Sequence, residues 1–292
     1  MTATSGPRTE LVSVTKARRR PGNTLVRVSE VILVVLVLAA VLANVISPYP
    51  ADALGAVNPV AALQPPSSAH WLGTDQVGRD VLTRVIFGAR TSLGIVVAVL
   101  ALAVVIGVTL GVIAGYFGGW LRDIIMRLTD VFLAFPSMLL ALALVLVLRP
   151  SLQTAVLAIA LTWWPWYTRL SAGVATAISS RTYMDATRAL GVSPVRAIVR
   201  HVLPNSLTPV LVQLSLDAGG VILTAASLSF LGLGAQEPVP EWGLMVSQGM
   251  TLFTTDWWVA LFPGLAILLT AFSFNMLGEG LRSALDPRRR AL

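Results

Sequence analysis

Cysteine is absent from the 292 residues, which excludes disulfides, thiolate metal sites and a cysteine nucleophile. Lysine occurs once, as Lys16, with no glycine frame around it. A Gly-x-x-x-x-Gly-Lys-Ser/Thr loop needs its lysine on the phosphates, so the chain carries no nucleotide-hydrolysing loop of that kind. Histidine occurs twice, as His70 and His201, and both lie outside the long apolar runs. Ser227 and Ser229 inside a run therefore have no base at the same depth, which removes an intramembrane hydrolase. Charge is the scarcest property: 12% of residues are charged, against roughly 25% in soluble domains. With 55% hydrophobic residues and a mean hydropathy of +0.79, too little polar surface remains to cover a water-soluble globule. No catalytic residue and no metal-ligating set is assigned.

What is present is a series of uncharged runs long enough to cross about 30 Å of hydrocarbon. They predict spans at about 28–46, 90–117, 128–148, 151–170, 205–232 and 257–279. Helices are required because lipid satisfies no backbone amide, and the runs lack the alternation of barrel strands. The expected fold is all-α, a polytopic bundle of six transmembrane helices over 28–287, with tails at 1–27 and 288–292. Arg18, Arg19 and Arg20 before the first run also fit a signal peptide, but five longer runs follow and an uncleaved first span is the simpler account.

The net charge of +7 follows this topology. Seventeen of the 21 Lys and Arg residues fall in the two tails and in the second and fourth connections, and only Arg79, Arg84, Arg90 and Arg149 on the other side. The positive-inside rule then puts both termini in the cytoplasm and gives the basic residues a topological role rather than a nucleic-acid one. Trp163, Trp164, Trp166, Trp257 and Trp258 are expected at span ends, in the interface.

The cytoplasmic connection 169–204 has its own grammar. Thr182 and Asp185 have capping-box spacing, Gly191 fits the left-handed position after a helix, and Ser193-Pro194 restarts one. Val195, Ile198, Val199 and Val202 make an apolar stripe, and Pro204-Asn205 are expected to end the second helix. Two short helices at a glycine corner fit either an interfacial connector or a docking element moved by a soluble partner.

At these residues the chain resembles the integral-membrane permeases of binding-protein-dependent ABC importers. That family's signature is Glu-Ala-Ala, three residues, Gly, nine residues, then Ile-x-Leu-Pro. Here Asp185-Ala186-Thr187, Gly191 and His201-Val202-Leu203-Pro204 follow the same spacing, with Asp for Glu, Thr for Ala and His for Ile. Trp71-Leu-Gly-Thr-Asp-Gln-Val-Gly-Arg-Asp-Val-Leu82, Gly115-Tyr-Phe-Gly-Gly119, Asp130-Val-Phe-Leu-Ala-Phe-Pro136, Ser227-Leu-Ser-Phe-Leu-Gly-Leu-Gly234, Pro240-Glu-Trp-Gly243 and Leu281-Arg-Ser-Ala-Leu-Asp-Pro287 extend the likeness to the dipeptide and oligopeptide branch, which includes nickel importers. The resemblance implies a type I ABC importer permease fold and a peptide importer, with nickel or another small solute as the alternative cargo. It implies four kinds of partner: a second homologous permease, two cytoplasmic ATPases that use ATP and Mg, an external solute-binding protein, and membrane lipid. Asp185, Ala186, Thr187, Gly191, Leu203 and Pro204 would couple to the ATPases.

Three further readings rest on the residues alone. Asp217 is the one acid well inside a run, a candidate for the translocation path or a structural carboxylate. An ion-coupled secondary transporter would need more such groups. Asp75, Arg79, Asp80, Glu237 and Glu241 are external and are candidates for binding-protein docking, or solvated loop charge. Gly107, Gly111 and Gly115 recur every four residues, a small face for close helix packing.

Overall fold

The computed structural model describes residues 22–285. The basic stretch at 8–20 and the tail from 288 lie outside the described residues. The described chain is helical, with one isolated bridge between Thr74 and Asp80 and no strand. Its helices are α1 (Gly22–Val41), the short α2 (Ala43–Ile46) and α3 (Pro50–Ala53), α4 (Val81–Phe117), α5 (Gly119–Leu133) and α6 (Ser137–Leu148). They continue with α7 (Leu152–Ser179), α8 (Thr182–Ala189), α9 (Pro194–Ala197), α10 (Leu203–Phe230), α11 (Trp242–Met250) and α12 (Trp258–Leu285).

Among the described residues, four helices are long and apolar enough to cross a membrane: α1, α4, the continuous helix over 194–230, and α12. The α5–α6 pair makes a fifth only if its 87° bend is counted as one broken span. The expected straight span at 128–148 is therefore corrected. Pro136 has no N–H to continue the helix and caps α6 instead. With 12 residues, α6 is about 18 Å long, short of the hydrocarbon thickness. Helix α5 packs on α4 and α7 through Ile125, with Thr129 also buried and Trp120, Ile124 and Leu128 exposed.

Helix α7 accounts for the rest of the difference from six apolar spans. Its 28 residues are long enough to cross, but Gln153, Arg169 and the run from Trp163 to Tyr167 lower its hydropathy, and its smaller polar residues Thr162, Thr168 and Ser171 are buried. Thr162 and Thr168 return their hydroxyls to the carbonyls of Ile159 and Trp164, so burial leaves them satisfied. Because α7 runs to Ser179 rather than ending near 170, Trp163 and Trp164 are mid-helix, and Trp164 is buried edge-on to Phe132. Trp258 is buried too, leaving Trp166 and Trp257 as the exposed members of the expected belt.

The core is the α4–α7 pair. A Cβ at Gly107, Gly111 or Gly115 would meet the α7 backbone carbonyls of Trp164, Thr168 and Ala172 closer than 3.0 Å. The glycine face thus lets two backbones touch, where dispersion between well-fitted surfaces holds helices that gain nothing from excluding water. Helix α4 begins at Val81, nine residues before the expected start, so Arg84 and Arg90 belong to it. Its 37 residues make about 55 Å of helix, which carries its first turns beyond the hydrocarbon and into a cap formed by 47–80.

Candidate functional site

Three polar constellations stand out, one near each end of the bundle and one inside it. The first is the corner after α8. Leu190, Gly191 and Val192 close the helix: Gly191 N–H donates to Arg188 at 3.0 Å and Val192 N–H to Thr187 at 3.3 Å. These are the paired bonds of a Schellman ending, and they require φ > 0 at Gly191, observed at +73°. The capping box is not formed. Arg181 precedes the helix without a side-chain cap, and Asp185 in the first turn accepts from Arg188 Nη1 at 2.9 Å. Thr187 donates to the carbonyl of Tyr183, and Ala186 accepts from Leu190 N–H.

The second short helix does not end at Pro204. Ser193 and Pro194 start it, but it passes through one wide turn at Ile198–Val202 and continues as α10. The wide turn removes the demand that Pro204 donate to Arg200 and gives its ring room, so the proline interrupts nothing. The apolar stripe is also divided. Met184, Ala197 and Val202 are buried in the bundle core, whereas Leu190, Val195 and Val199 are 83%, 71% and 58% exposed. The corner is anchored on one side and presents bare aliphatic surface on the other. Arg188 also lies over the ring of Tyr116 at the end of α4, 5.6 Å from its centre.

The second constellation is the cap at the opposite end. Arg79 donates Nε to Asp75 at 2.7 Å and forks its two Nη atoms onto Glu237 at 2.7 and 3.1 Å. This bidentate geometry is the strong form of the interaction, and it ties the segment before α4 to the one after α10. Arg84 adds its charge, 3.4 Å from Glu237 and 3.7 Å from Asp75. Asp80 caps α4 through Thr83 N–H and pairs with His70 Nδ1 at 2.9 Å. Glu241 caps α11 by accepting from Gly243 and Leu244, and from Ser92 on α4.

Asp75, Arg79, Asp80 and Glu241, expected as exposed docking charges, are thus buried within the cap. Only Glu237 reaches solvent, with its side chain 41% exposed. Burial opposes ionisation of Glu237, but hydrogen bonds from Arg79 and Gln248 and the nearby guanidinium charges outweigh it and hold the carboxyl below the ordinary glutamate range. Burial pushes Glu241 up, against the amide and hydroxyl donors that favour its charged form. Arg84, Ser92, His70 and Gln248 were not singled out in the sequence. Their partners lie up to 153 residues away, and no local spacing signals that.

The third constellation is Asp217, half-buried on α10. Its Oδ1 accepts from Gln213 Nε2 at 2.9 Å, one turn away. Tyr167 of α7 brings its buried hydroxyl toward the same carboxyl. Two cavities open along one face of α10. The outer, about 360 Å³, is lined by Leu223, Ser227 and Phe230 with Met138 of α6 and Ile267 of α12. The inner, about 520 Å³, lies between α10 and the end of α12.

Comparison with known proteins agrees with this architecture. The family model described as the binding-protein-dependent transport system inner membrane component matches residues 107–291. A dipeptide transport system permease protein of Alkalihalophilus pseudofirmus is 44% identical over 269 residues, covering 92% of this chain and 88% of that protein. The dipeptide transport system permease protein of Escherichia coli K12 is 47% identical over 263 residues, 88% and 87% of the two chains. A glutathione transport system permease protein of Pectobacterium atrosepticum is 43% identical over 226 residues, 77% and 75%. Among solved structures, a chain of the inward-facing MetNI methionine ABC transporter superimposes with a TM-score of 0.55 at 16% identity, over 70% of this chain and 97% of that one.

Proposed function

This chain belongs to the inner-membrane components of binding-protein-dependent transport systems, and we propose on that premise that it is one permease subunit of an ATP-driven importer of dipeptides and short oligopeptides. It is an integral membrane protein and a transporter subunit, not a catalyst. In the proposed complex, the permease domain 28–287 lies in the cytoplasmic membrane beside a second, related permease. Both tails are cytoplasmic. Two ATPases bind ATP and Mg on the inner side, and a solute-binding protein delivers peptide from outside. Of the five external charges, Glu237 is the one solvent-accessible enough to meet that protein.

The observation that carries this reading is the corner at Gly191. Leu190, Val195 and Val199 together leave bare aliphatic surface on one short polar connection, the kind of patch that supports contact with a partner or with lipid. The proposed partner is an ATPase groove that takes Asp185, Ala186, Thr187 and Gly191, with Leu203 and Pro204 at the root. Because the helix from Pro194 continues through its wide turn to Phe230, a push on the corner passes into α10, and so to Asp217 and both cavities.

A Cβ at Gly191 would meet nothing within 4 Å, so a substitution there acts on the backbone alone. Holding an L-residue in the left-handed region costs about 1–2 kcal/mol, enough to change the angle of the corner. In proteoliposomes containing the assembled importer, Gly191→Val should leave ATP hydrolysis in place and reduce dipeptide uptake about tenfold, the factor equivalent to about 1.4 kcal/mol. Uptake coupled to hydrolysis as in the native complex would contradict the docking role.

A further inference from the structure

The bend between α5 and α6 lies deep in the bundle. Phe132, just before it, packs edge-on against Trp164. Trp164 is the thirteenth of the 28 residues of α7, about 18 Å from one end of a helix about 42 Å long. Ala134, Phe135 and Pro136 therefore turn the chain through 87° near mid-bilayer. Among the described residues, the backbone bonds at this turn are Ala134 N–H to Asp130, Phe135 N–H to Phe132 and Leu140 N–H to Pro136. Pro136 gives α6 no side-chain cap, so the amides of Ser137, Met138 and Leu139 are the unpaired donors of a helix start. All three residues are exposed. Little more than a turn further along α7, Arg169 donates Nη2 to Asp130 Oδ1 on α5. That bond uses one carboxylate oxygen and one of the five guanidinium N–H groups. The side chains of Arg169 and Asp130 remain 48% and 58% exposed.

Hydrocarbon accommodates neither feature. Backbone that leaves the helix at membrane depth is covered by protein or lines water. Charged side chains at that depth face the bundle interior or an aqueous cavity. A covering protein would have to bring acceptors for three adjacent amides and a matched polar set for the rest of the ion pair, whereas water supplies both. Met138, in the uncapped turn, also lines the outer cavity with Leu223, Ser227 and Phe230, so open space adjoins the bend. We propose that the exposed side of α5, α6 and α7 around Asp130, Arg169 and the bend is a wetted wall of the passage through which the cargo crosses, and that the ion pair sets its charge preference. The inference rests on the importer reading and gives the passage one wall. With the pair intact, the wall carries no net charge at this level. Loss of either member leaves a single charge facing the passage, of opposite sign in the two cases.

The test has two readouts on the complete importer. The first places a nitroxide at Ser137→Cys, or at Val105→Cys as a reference, in the nucleotide-free complex in nanodiscs. Val105 is exposed on α4, two residues from the Gly107 that packs at Trp164, so it shares the depth of the bend. Power saturation with oxygen, which concentrates in lipid, and with a water-soluble nickel chelate separates the environments. The label at Ser137 should be reached by the nickel chelate and the label at Val105 by oxygen. Oxygen access at both sites would make the surface lipid-facing, and access by neither reagent at Ser137 would make it a packed interface; either result overturns the proposal. The second readout is uptake of lysyl-lysine against aspartyl-aspartate. Relative to the native ratio, Asp130→Asn should disfavour the cationic peptide and Arg169→Gln the anionic one, each about threefold, the effect of a unit charge about 6 Å away in water. A merely structural pair would shift both variants alike or not at all, and that outcome removes the charge role. Uptake of alanyl-alanine by the native importer is measured in parallel. Its absence removes the importer reading, whereas uptake with no nickel access at Ser137 removes this inference alone.

Discussion

At the scale of single residues, the cap over the start of α4 turns on Glu237. It is the point at which the segment after α10 accepts the forked guanidinium of Arg79 and the neighbouring charge of Arg84. Its carboxyl is held below the ordinary glutamate range, so its sign of linkage is definite. The stabilisation is complete above the unfolded value and is lost as pH falls through the lower folded value. Since Glu237 is partly solvated, the loss in Glu237→Gln should be about 1–2 kcal/mol, below that of a fully buried broken pair. Thermal midpoints of the purified protein from neutral to acid pH check this. The native and variant curves should be separated at neutral pH and converge in acid; parallel curves would show that the bridge contributes nothing. Little of this cap could be read from sequence. Asp75, Arg79, Asp80, Glu237 and Glu241 were visible as external charges, but their pairing depends on loop closures with no periodic signature.

At the scale of elements, the most legible feature was the spacing of Gly107, Gly111 and Gly115, because a four-residue repeat of small side chains on a helix has one geometric meaning. The corner at Gly191 was legible for a related reason: a left-handed helix ending is a local demand that glycine meets. What failed were the inferences drawn from proline and from charge as punctuation. Pro204 does not end its helix, since a wide turn one residue upstream absorbs the missing donor. Arg84 and Arg90 do not mark the start of α4, since an arginine can stay in a helix when carboxylates meet it or when its long stem reaches water. The glycine face makes a direct prediction. Gly111→Val places methyl groups against the α7 backbone and should destabilise the solubilised protein by about 1–3 kcal/mol. Gly94→Val, on the same helix with nothing within 4 Å, should change the thermal midpoint little. Equal effects at the two sites would mean that helix propensity, not packing, sets the response.

At the scale of the whole molecule, the continuous 194–230 helix is a direct path along the chain from the exposed corner to the cavities along α10. The path has a purpose only if that corner faces the cytoplasm and is covered by an ATPase there. The absence of cysteine makes the decisive measurement clean. Leu190→Cys introduces the chain's only thiol at its barest aliphatic position on the corner. The readout is labelling with a membrane-impermeant maleimide in intact cells and in inside-out vesicles, with the ATPases present or stripped away. The account predicts no labelling from outside, rapid labelling in stripped inside-out vesicles, and protection when the ATPases are restored. Labelling of intact cells, or equal labelling with and without the ATPases, would contradict it.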